Sequence, residues 1–288
     1  MGVHLRRAAR AAAVALLVWV PNGGGFAQTV RHDTGQDVAP AFEGWERNAD
    51  GSYNFVFGYL NRNYEEQVDI PIGPENAFDS GPQDRGQPTH FYVRRQRFIF
   101  RVAVPRDWEK TRKLTWTLTS HGHTDQAKGW LQPEWELNPD VISENNGGGV
   151  LEAGNTPPTM SGSTAETVTL PNALTLSTTA TDDGIPKPRP RRTPALDAVA
   201  AAAAATAANP DTPVRQTEGL RLRWIHYRGA GKVTFEPERS TPTYKVPATE
   251  KTSVRFSAPG TYVVRAFASD GQLESSRDVT VTVKPVSP

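Results

Sequence analysis

The chain has 288 residues, with 32 lysines and arginines against 31 acids, 24 glycines, 24 prolines and no cysteine. The missing cysteines exclude a disulfide framework, a thiolate nucleophile, a thiolate zinc site and a lipidated cysteine, and the near-neutral balance excludes the basic footprint of a nucleic-acid binder. Glycine and proline are turn-rich without reaching the roughly 25–30% of low-complexity chains, and the length suffices for two cores of ordinary size.

At the start, Arg6, Arg7 and Arg10 precede the apolar stretch Ala12 to Val20, and Gly25-Phe26-Ala27 places small residues at the two positions a signal peptidase reads. This predicts a signal peptide over 1–27, cleaved before Gln28, and an exported protein, periplasmic or extracellular. With three of the 32 basic residues in that leader, 29 remain against 31 acids, a net charge of about −2. A transmembrane anchor needs roughly 20 apolar residues, and Pro21-Asn22-Gly23 ends this run at about half that length, so no membrane insertion is expected after cleavage.

Further along, apolar residues recur at period two in 53–59, 97–104, 114–118, 220–224 and 279–283, the pattern of half-buried strands. Asp50-Gly51, Gly73-Pro74, Pro259-Gly260 and Asp270-Gly271 punctuate them as turns. Many short strands with such turns predict an all-β chain of two β-sandwich (immunoglobulin-like) domains in tandem. The first spans 38–142. The glycine-rich 143–155 reads as a flexible linker, and the second domain spans 156–285. Within the second, 186–218 reads as a low-complexity insertion, first proline and arginine in an extended polyproline form, then Ala195 to Ala208, the one helix candidate.

The second half resembles the PKD-type and cadherin-like immunoglobulin-fold domains of exported bacterial proteins, carried above all by the phrase FSAPGTYVVRAFASDG at 256–271. The resemblance implies an immunoglobulin-fold sandwich with the insertion between its second and third strands. Read from the residues themselves, Trp224 falls mid-strand where such a sandwich buries a tryptophan, and Tyr262 opens the penultimate strand as a tyrosine corner would. Tyr262, Val264, Ala266 and Ala268 should then face the core, with Arg265 and Phe267 facing out. The first half, through 57–64, 71–76 and 84–91, resembles a domain of uncharacterised exported bacterial proteins, which implies compartment only.

Three groups of residues are candidates for chemistry. Ser120-His121-Gly122-His123-Thr124-Asp125-Gln126 matches most of the H-x-H-x-D-H zinc motif of metallo-β-lactamase-type hydrolases, but Gln126 replaces the last histidine and the motif follows a strand, so a polar hairpin loop is the favoured reading. Trp45, Trp130 and Trp135 lie outside the clean alternation and are expected to be exposed, and Trp130 and Trp135 are the candidate binding residues of a sugar-stacking surface. Asp182, Asp183 and Asp270 should gather at one pole of the second sandwich, near Glu144 and Glu152, as oxygen ligands for calcium. The alternative of plain Asp-Gly turns stays open. The function these features predict is a non-catalytic exported module, not an enzyme, that contacts an unknown protein or surface polymer and no nucleic acid. The alternatives are a carbohydrate-binding accessory protein and, behind it, a metal-dependent hydrolase using His121 and His123.

Overall fold

The computed structural model describes residues 31–188 and 219–286. The leader at 1–27, and with it the expected cleavage site, lies outside the described residues, as do most of the 186–218 insertion and the helix candidate within it.

The first half carries β1 (Val38–Arg47), β2 (Tyr53–Asn61), β3 (Val68–Asp69), β4 (Asn76–Phe78), β5 (His90–Phe91), β6 (Arg94–Val104), β7 (Leu114–Ser120) and β8 (His123–Gly129). They form one sheet in the order β1-β2-β6, a second in the order β4-β7-β8, and a ribbon of β3 with β5. The β1–β2 hairpin closes where the sequence places a turn: Asp50 Oδ1 accepts from the Ser52 backbone N–H at 2.9 Å, and Gly51 takes φ 84°. The two sheets meet over Trp116, which packs edge-on to Phe57 and Phe100 and flat against Phe78 at ring distances of 4.9 to 6.1 Å. Its indole N–H donates to Asn76 Oδ1 at 3.0 Å, while the Asn76 amide donates to the Ile70 and Pro88 carbonyls. Every polar atom of this buried pair therefore has a partner, which an apolar core requires.

The second half carries β9 (Thr159–Gly162), β10 (Ala165–Thr169), β11 (Leu174–Thr181), β12 (Arg221–Arg228), β13 (Val233–Glu236), β14 (Ala248–Phe256), β15 (Gly260–Ser269) and β16 (Glu274–Lys284). The sheets run β9-β11-β14-β13 and β10-β16-β15-β12, with β10 parallel to β16 and its neighbours otherwise antiparallel. This strand order is that of an immunoglobulin-like sandwich whose first strand is shared between the sheets. Trp224 is 2% exposed and lies flat against Phe235. The Tyr262 hydroxyl lies 2.5 Å from the Ala230 carbonyl and 2.8 Å from that of Ala258, four residues upstream, which closes the tyrosine corner.

One expectation is corrected. Arg265 and Phe267 do point away from the sandwich core, yet both are buried, because the first half covers the outer face of this sheet. Ile225, Tyr227 and Phe267 belong to the same apolar cluster as Trp116 and Phe57. The Arg265 guanidinium lies 3.6 Å from the Tyr227 ring centre, donates to the Ile99 carbonyl at 2.6 Å and forks onto Asp278 at 2.6 and 2.8 Å. Arg228 forks likewise onto Asp84, and the Tyr227 hydroxyl donates to the Gly86 carbonyl. The described residues from His32 onward form one compact unit.

The segment 143–155 also differs from a free linker. A short helix, α1 (Pro139–Asn145), begins on Asn138, whose side chain accepts from the Val141 N–H, with Pro139 next to that cap. Ser143 Oγ then donates to the Gly149 carbonyl. Gln272 holds the rest: its amide N–H donates to the Val150 carbonyl, and its oxygen accepts from the Glu152 backbone and the Asn155 side chain, each at 3.0 Å. Among the described residues no helix is long and apolar enough to cross a membrane.

Candidate functional site

Two places concentrate functional side chains. The first is an aromatic group on the first sandwich. A register shift in β1 between Phe42 and Gly44 leaves Gly44 at φ 139°, where a Cβ would stand 2.5 Å from the Trp135 carbonyl oxygen and 2.7 Å from Leu137 Cγ. Glycine there lets the short 3-10 turn Pro133–Trp135 dock directly on the strand. The docking is fixed by Leu137 N–H to the Trp45 carbonyl at 2.8 Å and by the Trp45 indole to the Gln132 carbonyl at 2.7 Å. On β8, Gly129 makes room for the Phe42 ring, which a Cβ would approach within 2.7 Å.

These contacts bring three rings together. Phe42 and Trp135 lie nearly parallel at 5.4 Å, Trp130 and Trp135 at 6.1 Å, and Phe42 and Trp130 at 6.3 Å. Trp135 is 39% exposed, Trp130 is half-buried with the Lys113 ammonium over it, and an open groove of about 320 Å³ runs along Phe42, Glu43, Glu134, Trp135, Leu137 and Val141. Glu43 at its base is paired with Arg95 at 2.7 Å and raised in pKa by burial, whereas Glu134 and Glu136 stand in solvent at its rim. Trp45, also expected at the surface, is buried instead, because its indole is the anchor of the docked turn.

The second place is the pole of the second sandwich where β11 ends and β15 turns into β16. Asp182 Oδ2 accepts from Gly184 N–H, and Asp270 Oδ1 accepts from the N–H groups of Gln272 and Leu273 at 2.6 and 2.7 Å. In each case the other carboxylate oxygen is buried without a hydrogen-bond partner, and so is Asn155 Oδ1. Desolvation raises Asp270 to about 6, with the nearby Asp182 charge adding to the rise, and desolvation raises Asp182 as well. Asp183 ties a loop: its two oxygens accept from Thr156 N–H, Thr156 Oγ1 and Ile185 N–H. The Asn155 side chain, hydrogen-bonded to Gln272, also lies beside Asp270, and no spacing in the sequence marks it.

The His121 region is a tight hairpin. Ser120 pairs with His123 across His121 and Gly122, which take φ 49° and 79°, the double positive φ of a type I′ turn. His121 spends its ring nitrogens on the Gln36 carbonyl and on Glu66, and His123 stands exposed.

No protein-family model matches the chain, and no curated protein does. Among solved structures it is similar to the endo-fucoidan hydrolase MfFcnA4 of glycoside hydrolase family 107, at 10% identity and a TM-score of 0.26 over 90% of this chain and 28% of that one. It is similar also to domains 4 and 5 of the S-layer protein SbsC, at 10% identity and a TM-score of 0.25 over 86% and 98% of the two chains. Titin domains Z1Z2 in complex with telethonin give 9% identity and a TM-score of 0.24 over 86% and 98%. The chain thus spans about a quarter of the hydrolase's length. Likeness this remote assigns no activity, and the immunoglobulin-like assignment stands on the strand order.

Proposed function

We propose that this chain is an exported, non-catalytic binding module whose contact face is the Phe42–Trp130–Trp135 group, and that its ligand is a surface glycan. The observation that carries the reading is the stack of near-parallel rings with Trp135 exposed beside an open groove, since flat aromatic faces suit the apolar faces of pyranose rings and hold them at low entropic cost. With Glu136 paired to Arg47 at 3.4 Å and the Lys113 ammonium over Trp130 offsetting Glu134, the face carries little net charge, so neutral glycans are favoured. Within the immunoglobulin class, the phrase at 256–271 supports placing the second half with PKD-type and cadherin-like domains.

Glycan-array screening followed by calorimetry tests this. Trp135→Ala is expected to weaken the best glycan by about tenfold or more, the effect of removing a contact worth roughly 1.4 kcal/mol, while the fold is retained by circular dichroism, since the ring is 39% exposed and packs only at the edge of the sandwich against Phe42 and Trp130. An array that is blank, or binding that survives Trp135→Ala with Trp130→Ala, removes the aromatic face from the function.

A second ligand is favoured by the buried, unpartnered carboxylate oxygens of the neighbouring Asp182 and Asp270, with the unpartnered Asn155 oxygen nearby, which would suit calcium. Because the folded-state pKa of Asp270, about 6, lies above its ordinary 3.8, the native chain holds that proton more tightly than the unfolded one. Its contribution to stability is complete below the ordinary value and is lost as pH rises through 6. Calcium offsets that loss, so millimolar calcium should raise the melting temperature above pH 6 and leave it unchanged at pH 4–5, with a dissociation constant on the order of 10⁻⁴–10⁻³ M. Melts at both pH values decide it; an increment that persists in Asp182→Asn with Asp270→Asn excludes the site.

A further inference from the structure

Between the two sandwiches lies a group that no motif announces. Asp69 on β3 and His90 on β5 are direct cross-strand partners in the ribbon, and His226 comes from β12 of the immunoglobulin-like half. His90 Nδ1 lies 2.7 Å from Asp69 Oδ1 and its Nε2 lies 2.9 Å from Gln67 Oε1. The His226 ring stacks on that of His90 at 4.3 Å. One carboxylate oxygen and one nitrogen from each imidazole all fall within 4.8 Å of one another.

One feature of this group calls for a further ligand. His226 is 2% exposed, and neither of its buried ring nitrogens makes a well-formed hydrogen bond, the Arg228 and Gly229 backbones offering only a weak polar contact, an arrangement that native interiors rarely tolerate. A divalent cation answers it, because it takes the lone pair of a buried nitrogen.

We infer that Asp69, His90 and His226 form a zinc site that clasps the two sandwiches together. Two imidazoles with one carboxylate are a donor set suited to zinc and not to the hard cations calcium and magnesium, which prefer oxygen. The Asp69 side chain is 51% exposed, which gives the ion a route in from solvent and leaves a side open for water as a fourth ligand. The clasp is independent of the glycan face and of the calcium pole, with which it shares no residue.

The test uses the full chain, expressed without a histidine tag and stripped with a chelator. Zinc is titrated by calorimetry and counted by elemental analysis, and cobalt is substituted to read the visible band of a tetrahedral site. One ion per chain, a raised melting temperature and that band are expected. Asp69→Asn, at a half-exposed position that leaves the fold intact by circular dichroism, should weaken zinc roughly tenfold or more, and Asp69→Asn with His90→Gln should abolish stoichiometric binding. His121→Gln with His123→Gln should change neither affinity nor band. Absence of stoichiometric zinc in the wild-type chain overturns the assignment, as does binding that survives the Asp69/His90 pair and disappears with the His121/His123 pair.

Discussion

Trp224→Ala is expected to destabilise the chain by roughly 3–5 kcal/mol, the usual cost of emptying a core tryptophan site, against total stabilities of about 5–15 kcal/mol. The residue sits at the centre of its sandwich, buried and stacked on Phe235, in one cluster with Leu176, Val254, Tyr262, Val264 and Val281. Nothing nearby is free to fill the space, since β12 is pinned on β15 from Arg221 to His226 without a break in register. Urea denaturation followed by circular dichroism should show the midpoint falling by a large fraction, while Trp224→Phe, which keeps a ring against Phe235, should fall much less. If the alanine variant melts like the parent, Trp224 is not a core residue.

The second large effect is at Arg265. Replacing it with alanine removes the fork to Asp278, the bond to the Ile99 carbonyl and the contact with the Tyr227 ring, and leaves that buried carbonyl without a donor. About 3 kcal/mol is expected, the low end for breaking a buried ion pair, because Asp278 is 44% exposed and recovers its hydration. For the same reason Asp278→Asn should cost under about 1 kcal/mol. Equal losses in the two variants, read from denaturation midpoints, would mean that the ion pair carries the stability and the contacts to the first half do not.

The strands were legible because each sandwich has an inside, and burial on one face writes itself into the chain as alternation. The 53–59 run, the 114–118 run with its hairpin and the 279–283 run all read correctly. So did Trp224 and Tyr262, since a buried ring and a hydroxyl reaching back four residues are set by local spacing. What alternation cannot report is a second partner for the outer face. Arg265 and Phe267 read as solvent-facing because their period is right, and only the first half, arriving from more than a hundred residues away, buries them. The same limit applies to chemistry. Trp130 and Trp135 were readable as unplaced aromatics, and Asp182 and Asp270 as turn acids, but Phe42 and Asn155 join them through a strand irregularity and a glutamine bridge. Asp69 and His90 come from one short ribbon and His226 from a distant strand, so no spacing in the chain relates them. Asn138-Pro139-Asp140 did carry a helix-start signal, which the glycines that follow it obscured.

The covered outer face of β12, β15 and β16 also bears on inheritance. Immunoglobulin-like domains commonly pass between genes as self-sufficient beads, which requires that each bead present only polar surface once its neighbours are exchanged. This one presents Ile225, Tyr227 and Phe267 to a specific neighbour and directs Arg265 into that neighbour's backbone. Spliced elsewhere, it would carry an exposed apolar patch and an unpartnered set of donors, a liability for association with unrelated chains. The two halves are therefore bound to travel as a pair, and a substitution on one side of the seam constrains what the other side can become.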